Sequence, residues 1–238
     1  MASKDKMRGF DPKDKRFFSK KAIIKLGIAQ EEIQWLLDRN YKSDTVINFI
    51  GNHYLLSSRQ RLALRRSTAM SIQYEKRKST LLPPEDAQYG CIFIDGFNLI
   101  ITLEVALSGS ILILGKDGVL RDLAGLRGTY RIIDKTQTAL NLIGKVLNKF
   151  KVPEVKFFLD KPVSNSGRLR NEILNHSKIW NIPTEVELIR NPDSILSDME
   201  RIVTGDSVIL DSCKSWFNLS EKIVENYVKD AWIVRFDD

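Results

Sequence analysis

The chain has 238 residues, of which 43% are hydrophobic and 28% are charged, and this length allows one large domain or two modest ones. No apolar run approaches the roughly 18 residues of a membrane helix, and no apolar segment follows the charged first residues, so neither a membrane protein nor a secretory signal is predicted. Two cysteines in apolar surroundings favour free thiols and a cytoplasmic location.

The first third of the chain is predicted to be basic and helical. Residues 1–19 are predicted to form a charged flexible tail, and residues 20–80 contain no proline and show the apolar spacing of several short helices. Residues 1–80 carry 18 Lys and Arg against 8 Asp and Glu, whereas the remainder carries 19 against 22. This asymmetry favours nucleic acid as a partner, because neutralised phosphates release counterions; a basic surface that only keeps the chain soluble is the alternative. The candidate phosphate contacts on the most basic helix are Arg59, Arg61, Arg65 and Arg66.

An α/β domain is predicted over residues 90–238, after a linker at residues 81–89. Apolar runs that alternate with amphipathic stretches indicate βαβ crossovers and a mainly parallel sheet. The predicted strands are 90–95, 110–114, 155–159, 184–189, 206–210 and 231–236. The predicted helices are 98–107, 134–150, 166–180, 193–202 and 214–228. Strand 110–114 has a hairpin with residues 127–133 as an alternative pairing.

Aspartates stand at or just beyond the ends of four predicted strands. The strongest candidate is Asp95, because it follows a buried run directly and precedes Gly96, which leaves space beside the carboxylate. The others are Asp160, Asp193 and Asp211. The carboxyl ends of parallel strands share one sheet edge, so these side chains are expected to converge there. Carboxylate oxygens suit Mg²⁺ or Mn²⁺, although aspartate at a strand-to-helix turn is also a common helix cap.

The same motifs resemble the PIN-like nucleases, especially their NYN branch. The opening motif is residues 94–99, Ile-Asp-Gly-Phe-Asn-Leu, and three weaker motifs follow in the correct order at residues 157–160, 191–195 and 208–212. The resemblance covers about residues 89 to 236. The whole chain also resembles an uncharacterised prokaryotic family that joins a small helical domain to a PIN-like domain.

The resemblance implies a three-layer α/β/α fold and metal-dependent cleavage of RNA. It makes Asp95, Asp193 and Asp211 metal ligands or near neighbours of the metal, with Asp160 as the fourth acidic candidate. Asn98 would orient Asp95 or touch a phosphate. Cys213-Lys214 departs from the family pattern, which often has a further aspartate there. Lys214 would bind phosphate, or the departure indicates a catalytically weak or inactive nucleic-acid-binding protein. A homo-oligomer is also compatible with the sequence.

An arginine-rich insertion at residues 116–131 offers a second candidate contact with nucleic acid. Its arginines, with Tyr130 among them, would clamp a phosphate backbone and stack on a base. The alternative is a surface hairpin whose arginines pair with Asp122 and Asp134, and Asp122 is also a possible fifth acidic ligand. Glu104, on the helix after Asp95, is either partly buried near the site or, as we expect, exposed. The insertion's candidate contacts are Arg121, Arg127 and Arg131.

Overall fold

A computed structural model describes residues 7–125 and 128–236. The chain from Asp14 to Thr80 forms a helical region. The helices are α1 (Asp14–Phe17), α2 (Lys20–Leu37), α3 (Ser43–His53), α4 (Ser58–Ser67) and α5 (Ser71–Thr80). A capping box starts α4, since the Ser57 hydroxyl accepts the Gln60 N–H while the Gln60 side chain accepts the Ser57 N–H. The predicted helical character of this region is confirmed.

The N-terminal segment is packed against the rest of the protein from residue 7 onwards. Asp14 is buried and accepts two hydrogen bonds from Arg59, at 2.6 and 2.7 Å, and Phe18 belongs to a hydrophobic core. The flexible tail expected at residues 1–19 is therefore not what residues 7–19 form, because a buried ion pair and an aromatic anchor hold them. Residues 1–6 lie outside the described residues.

The segment expected to be a linker also makes ordered contacts. Residues Pro84–Tyr89 form a 3₁₀ helix, and Leu82 packs against the main core. The Leu82 N–H donates to the Trp216 carbonyl at 2.8 Å, and the Trp216 N–H donates to the Thr80 carbonyl at 3.0 Å. Residues 81–89 are thus fastened to the α/β part of the chain.

The remaining residues form an α/β fold with two sheets. The strands are β1 (Ile92–Asp95), β2 (Leu112–Leu114), β3 (Leu120–Asp122), β4 (Val155–Asp160), β5 (Thr184–Ile189), β6 (Ile202–Val203) and β7 (Ile233–Val234). The helices are α6 (Gly96–Leu107), α7 (Asp134–Lys149), α8 (Ser166–Trp180), α9 (Pro192–Leu196), α10 (Ser207–Leu210) and α11 (Leu219–Tyr227). The larger sheet is parallel throughout, with strand order β5-β4-β1-β6. The smaller sheet has the order β3-β2-β7, with β2 antiparallel to β3 and parallel to β7.

Helices cover both faces of the larger sheet. In β1, Ile94 packs into the core formed with α6, α7, α8 and α11, whereas Phe93 packs on the opposite side. In β4, Phe157 and Phe158 divide in the same way, and the second core contains Leu196 of α9 and residues of α10. Because successive side chains of a strand point to opposite faces, this division gives three layers. The predicted α/β class, with a three-layer arrangement and a mainly parallel sheet, is confirmed.

Two of the predicted elements near the sheet edge are wrong. Residues 206–210 were expected to form a strand, but the Asp206 carboxylate accepts the Val208 N–H at 2.7 Å and starts the short helix α10. The strand beside β1 is instead Ile202–Val203, at the end of the predicted helix 193–202. The partners of β2 are β3, joined through a turn at Asp117-Gly118, and β7, so the described part of the alternative hairpin, residues 128–133, does not pair with β2.

The helical region and the smaller sheet share a hydrophobic core. Leu26 and Ile33 of α2 and Leu64 of α4 lie in one cluster with Ile113 of β2 and Val234 of β7. Packing of α4 on this sheet brings its Arg66 to the carboxyl edge of the larger sheet. Within the described ranges, no helix has the length and apolar character needed to cross a bilayer.

Candidate functional site

A cavity of about 570 Å³ lies at the carboxyl edge of the larger sheet. Acidic side chains from separate elements line it, together with Arg66, Asn98 and the turn before α9. Because β1, β4 and β5 all run in the same direction, the residues that follow them reach this one edge. The acidic lining residues are Asp95, Asp122, Asp160, Asp193 and Asp206.

Asp95 is the most tightly held of these carboxylates. It ends β1 and caps α6, where its Oδ1 accepts the Asn98 N–H at 3.4 Å, while its Oδ2 accepts the Thr204 hydroxyl at 2.8 Å. Burial, followed by the charges of Asp206 and Asp193, raises the pKa of Asp95 to about 7, although the Thr204 and Asn98 hydrogen bonds oppose this shift. The charged form of Asp95 is therefore disfavoured in this cavity, first by burial and then by its acidic neighbours.

Gly96 lets the chain pass close to β4 directly after Asp95. A Cβ at residue 96 would lie 2.6 Å from a Leu159 methyl carbon and 3.2 Å from the Phe158 carbonyl oxygen. Only glycine fits this close approach, which fixes where α6 starts and hence where Asp95 points. The sequence suggested that Gly96 leaves space beside the carboxylate, whereas in the structure the space beside Gly96 is filled by β4.

Asp193 and Asp160 complete the predicted part of the cluster. Asp193 lies in the first turn of α9, after Asn191 in the left-handed conformation, and Asp160 ends β4. Partial desolvation at the cavity raises the pKa of Asp193, and the charges of Asp206 and Asp160 raise it further. These mutual effects indicate that the carboxylates lie close enough to repel one another.

Asp206 is the acidic residue that sequence reasoning missed. It follows β6 across Thr204-Gly205, and its N–H donates to the Thr204 hydroxyl at 3.0 Å. That hydroxyl is the group that donates to Asp95, so one threonine links the two acidic residues. The available signal was Thr-Gly-Asp after the apolar pair Ile202-Val203, but this two-residue strand is too short to show periodicity.

Asp211 was expected at this edge, and that expectation is wrong. It follows the last residue of α10, and its carboxylate accepts hydrogen bonds from Arg77 at 2.7 Å and Gln73 at 2.5 Å, both on α5. Its backbone carbonyl accepts the Lys76 ammonium group. Asp211 is therefore a contact between α10 and the helical region, because the run before it is a helix and not a strand.

The donor chemistry of the cavity suits a hard divalent cation only partly. Among residues 7–125 and 128–236, no three carboxylate, histidine or cysteine groups are placed as a ready-made ligand cluster. Mg²⁺, however, usually takes one or two protein carboxylates and keeps several waters. A partly hydrated cation beside Asp95 and Asp206 or Asp193 would suit this lining, because its charge would offset the repulsion among these carboxylates.

Arg66 is the one basic side chain among the described residues that line the cavity. It comes from α4, donates to the Asp122 carbonyl, and lies 3.6 Å from the Asp122 carboxylate. Its side chain is 33% exposed, so it is accessible from the cavity. Arg65, one residue earlier, pairs with Asp44 where both side chains are exposed, and such pairs are weak.

Three of the predicted nucleic-acid contacts are structural instead. Arg59 holds Asp14 and the carbonyls of residues 9 and 123, and Arg61 holds residues 48, 52 and 56. Arg121 is buried, chelates Asp117, and donates to the Gly205 carbonyl. The guanidinium groups of Arg59 and Arg121 are turned into the protein, where they satisfy carbonyl and carboxylate oxygens, whereas Arg61 is half-buried and two of its hydrogen bonds lie at the surface.

The other residues predicted to contact nucleic acid differ in exposure and in their distance from the cavity. Arg131 and Lys214 are exposed, and Lys214 lies in the turn after Asp211 rather than in the cavity lining. Arg127 lies outside the described residues. The Asn98 side chain accepts the Gly205 N–H at 2.6 Å, so it holds the loop before Asp206.

Glu104 and Tyr130 are buried together away from solvent. Glu104, expected to be exposed, is wholly buried and accepts hydrogen bonds from Arg8 at 2.8 Å, Tyr130 at 2.6 Å and Thr136. Burial raises the pKa of Glu104, and the charge of Arg8 opposes this. Tyr130 cannot stack on a base, because its ring is in the core and its hydroxyl is bonded to Glu104.

Comparison with known proteins gives two family matches and one similar protein. Residues 84–222 match the family described as "Domain of unknown function (DUF5616)", and residues 25–80 match "Protein of unknown function (DUF434)". The uncharacterized protein MJ0935 of Methanocaldococcus jannaschii is 35% identical over 184 residues, which cover 77% of this chain and 88% of that protein. No solved structure matches the chain.

Proposed function

The chain belongs to the DUF5616 family, and we propose that it is a divalent-metal-dependent nuclease that hydrolyses phosphodiester bonds in RNA. The observation that carries the proposal is the convergence of five aspartates on one cavity, with the pKa of Asp95 raised to about 7. Perturbed carboxylates that share a cleft are a mark of functional sites. The PIN-like resemblance of the opening motif supports the same reaction and supplies RNA as the substrate class.

The proposed roles divide the cavity between cation and substrate. Asp95, with Asp193 or Asp206, would hold Mg²⁺ or Mn²⁺, and Asp160 and Asp122 would add negative charge around it. When bound, such a cation would activate water and stabilise charge on the phosphoryl oxygens. Thr204 keeps Asp95 oriented through its 2.8 Å hydrogen bond.

Basic side chains near the cavity would bind the nucleic acid backbone. Arg66 lines the cavity and Arg65 lies beside it, in position to contact phosphates on either side of the one that reacts. Exposed Arg131 extends this surface beyond Ile101, which lines both the acidic cavity and the neighbouring pocket of Arg131. Phosphate contacts of this kind would make binding weaken steeply as salt concentration rises.

The second candidate is a nucleic-acid-binding protein without hydrolytic activity. The absence of a ready-made ligand cluster in the described part of the chain favours it, as does Cys213-Lys214 at a place where the PIN-like pattern often has an aspartate. Under either candidate we propose a cytoplasmic location. The two free thiols, Cys91 and Cys213, are compatible with it. A homo-oligomer stays a prediction.

Isosteric variants of the aspartates test the proposal directly. We expect Asp95→Asn and Asp206→Asn to lower the rate of cleavage of labelled single-stranded RNA by at least about 100-fold, or about 2.7 kcal/mol of transition-state stabilisation. RNA binding should be retained, because the variants remove negative charge. The assay is run with Mn²⁺ or with a chelator, on RNA and on DNA of the same sequence.

Asp14→Asn is the matched control, because it makes the same chemical change at a carboxylate that is bound to Arg59 outside the cavity. It should cleave RNA at a rate close to that of the wild type. Cleavage that persists in the chelator, or that is lost equally in all three variants, contradicts the proposal. Binding without cleavage by the wild type under every condition supports the second candidate.

A further inference from the structure

The loop Thr204-Gly205-Asp206 is fixed through the backbone of Gly205. The Gly205 N–H donates to the Asn98 side chain at 2.6 Å, and the Gly205 carbonyl accepts the Arg121 Nε–H at 2.8 Å. A Cβ at residue 205 would lie 3.1 Å from Asn98 Oδ1 and 3.2 Å from the Leu120 carbonyl oxygen. The peptide is therefore held from both sides with little room to shift.

Arg121 is itself held rigidly by a buried carboxylate. Its two terminal nitrogens donate to Asp117 at 2.9 and 2.7 Å, and the Asp117 side chain is only 1% exposed. Although burial alone would raise the pKa of Asp117, the hydrogen bonds and charges of Arg121 and Arg77 lower it. A planar guanidinium that chelates a carboxylate leaves its Nε–H pointing in a fixed direction, here at the Gly205 carbonyl.

Asp117 extends this chain of contacts to the helical region. Arg77 of α5 donates to Asp117 at 2.6 Å, and its side chain is only 3% exposed. The Arg77 carbonyl accepts the Trp216 indole N–H at 2.7 Å, which fixes α5 against the α/β part. A continuous path of short contacts thus runs from α5 through Asp117 and Arg121 to Gly205.

We propose that Arg121 is a positioning residue that sets the geometry of the acidic loop, and that α5 takes part through Arg77 and Asp117. The loop carries both the hydroxyl that donates to Asp95 and the carboxylate of Asp206. Releasing the Gly205 carbonyl would let both groups move away from Asp95. The consequence for cation binding rests on the nuclease function proposed above, whereas the clamp on the loop does not.

Three variants separate positioning from simple stabilisation. Arg121→Gln removes the clamp and the charge. Arg121→Lys keeps a charge for Asp117 but cannot chelate it and also reach Gly205. Arg59→Gln is the matched control, since Arg59 is a similarly enclosed arginine that also binds an aspartate and two carbonyls, but none of its partners belongs to the loop. The free energy of unfolding of each variant is measured in urea, so that changes in exchange and in binding can be compared between variants whose loss of stability is known.

The first measurement is amide hydrogen exchange of the peptide that contains residues 203–207, which needs neither metal nor substrate. We expect exchange at the Gly205 amide to quicken by about tenfold or more in Arg121→Gln and Arg121→Lys, and to stay unchanged in Arg59→Gln, because local opening sets the exchange rate. The second measurement is Mn²⁺ binding without substrate. We expect affinity to fall by about 10- to 100-fold in both Arg121 variants, as for lost outer-shell partners, but not in the control.

Each outcome decides one part of the inference. Unchanged exchange in both Arg121 variants overturns the positioning role. Faster exchange in Arg59→Gln as well would show general loosening and also overturn it. Faster exchange in the Arg121 variants alone supports the clamp even if the wild type binds no Mn²⁺, a result that would count against the nuclease function and not against the clamp.

Discussion

Asp95 caps a helix, but its charged form is disfavoured by its surroundings. Its carboxylate caps α6 and accepts the Thr204 hydroxyl, yet burial and the charges of Asp206 and Asp193 raise its pKa to about 7. A helix cap alone would favour the charged form and lower the pKa. The direction of the shift therefore separates Asp95 from an ordinary capping aspartate.

This shift predicts that Asp95 destabilises the metal-free protein at high pH. Its folded pKa lies above the unfolded value of 3.8, so the folded state binds more protons, and stability falls as pH rises from about 4 through about 7. Asp95→Asn should remove most of this fall and raise the free energy of unfolding at pH 8 by on the order of 2 kcal/mol. Urea unfolding between pH 4 and 9, in a chelator, measures it.

The control for this prediction is again Asp14→Asn, which loses a charged partner of Arg59 and should be less stable than the wild type at pH 8. Curves for Asp95→Asn and wild type that run parallel across the whole range would contradict the shift. Addition of Mn²⁺ at pH 8 should stabilise the wild type more than Asp95→Asn, because a ligand that binds only the folded state adds to its stability.

Among the secondary-structure elements, strands with a clear apolar pattern could be predicted from the sequence, and the shortest elements could not. Asp95, Asp160 and Asp193 were placed correctly at the edge because β1, β4 and β5 show clear apolar patterns. The run Ser207–Leu210 is compatible with a strand or a helix, and the Asp206 cap decides for a helix. Because this run was predicted to be a strand, the sequence placed Asp211 at the site, whereas the structure places Asp206 there. Burial of Glu104 depends on Arg8, 96 residues away, and no local pattern encodes such a partner.

The N-terminal segment before α1 contributes Arg8 to a buried ion pair with Glu104, and the effect of this pair on stability can be measured. Arg8→Ala should lower the free energy of unfolding by about 3 kcal/mol, because it leaves the wholly buried Glu104 without its cation. The loss should be larger at pH 8 than at pH 5, since removing Arg8 raises the pKa of Glu104 further and protonation then relieves the buried charge. Urea unfolding of the variant at both pH values measures the effect.

A double-mutant cycle checks the origin of that loss. Adding Glu104→Gln to Arg8→Ala should recover part of the stability, because the neutral amide carries no unpaired charge. Lys15→Ala, at an exposed residue of α1, should change stability by less than about 0.5 kcal/mol. Additive effects of the two substitutions in the cycle would show that Arg8 acts elsewhere.

For the whole molecule, β2 joins the two parts that the sequence suggested were separate domains. Ile113 packs with the N-terminal helices, whereas Leu112, its neighbour, packs in the core of the α/β part. The charge balance of the sequence does change near residue 80, from basic to slightly acidic. Composition, however, cannot reveal that one strand contributes to both cores. The family matches divide at the same place, at residues 25–80 and 84–222, although contacts cross this boundary.

This arrangement predicts one cooperative unfolding transition for the full chain. Ile113→Ala removes buried methyl groups from the core shared with the helices and should lower the free energy of unfolding by about 3 kcal/mol. Leu140→Ala, in α7 and the other core, is the matched variant of similar size. In each variant, scanning calorimetry should show a single peak at a lower temperature whose calorimetric and van't Hoff enthalpies agree. If the helical region were an independent domain, Ile113→Ala would instead split off a low-temperature peak, and Leu140→Ala would leave that peak unmoved.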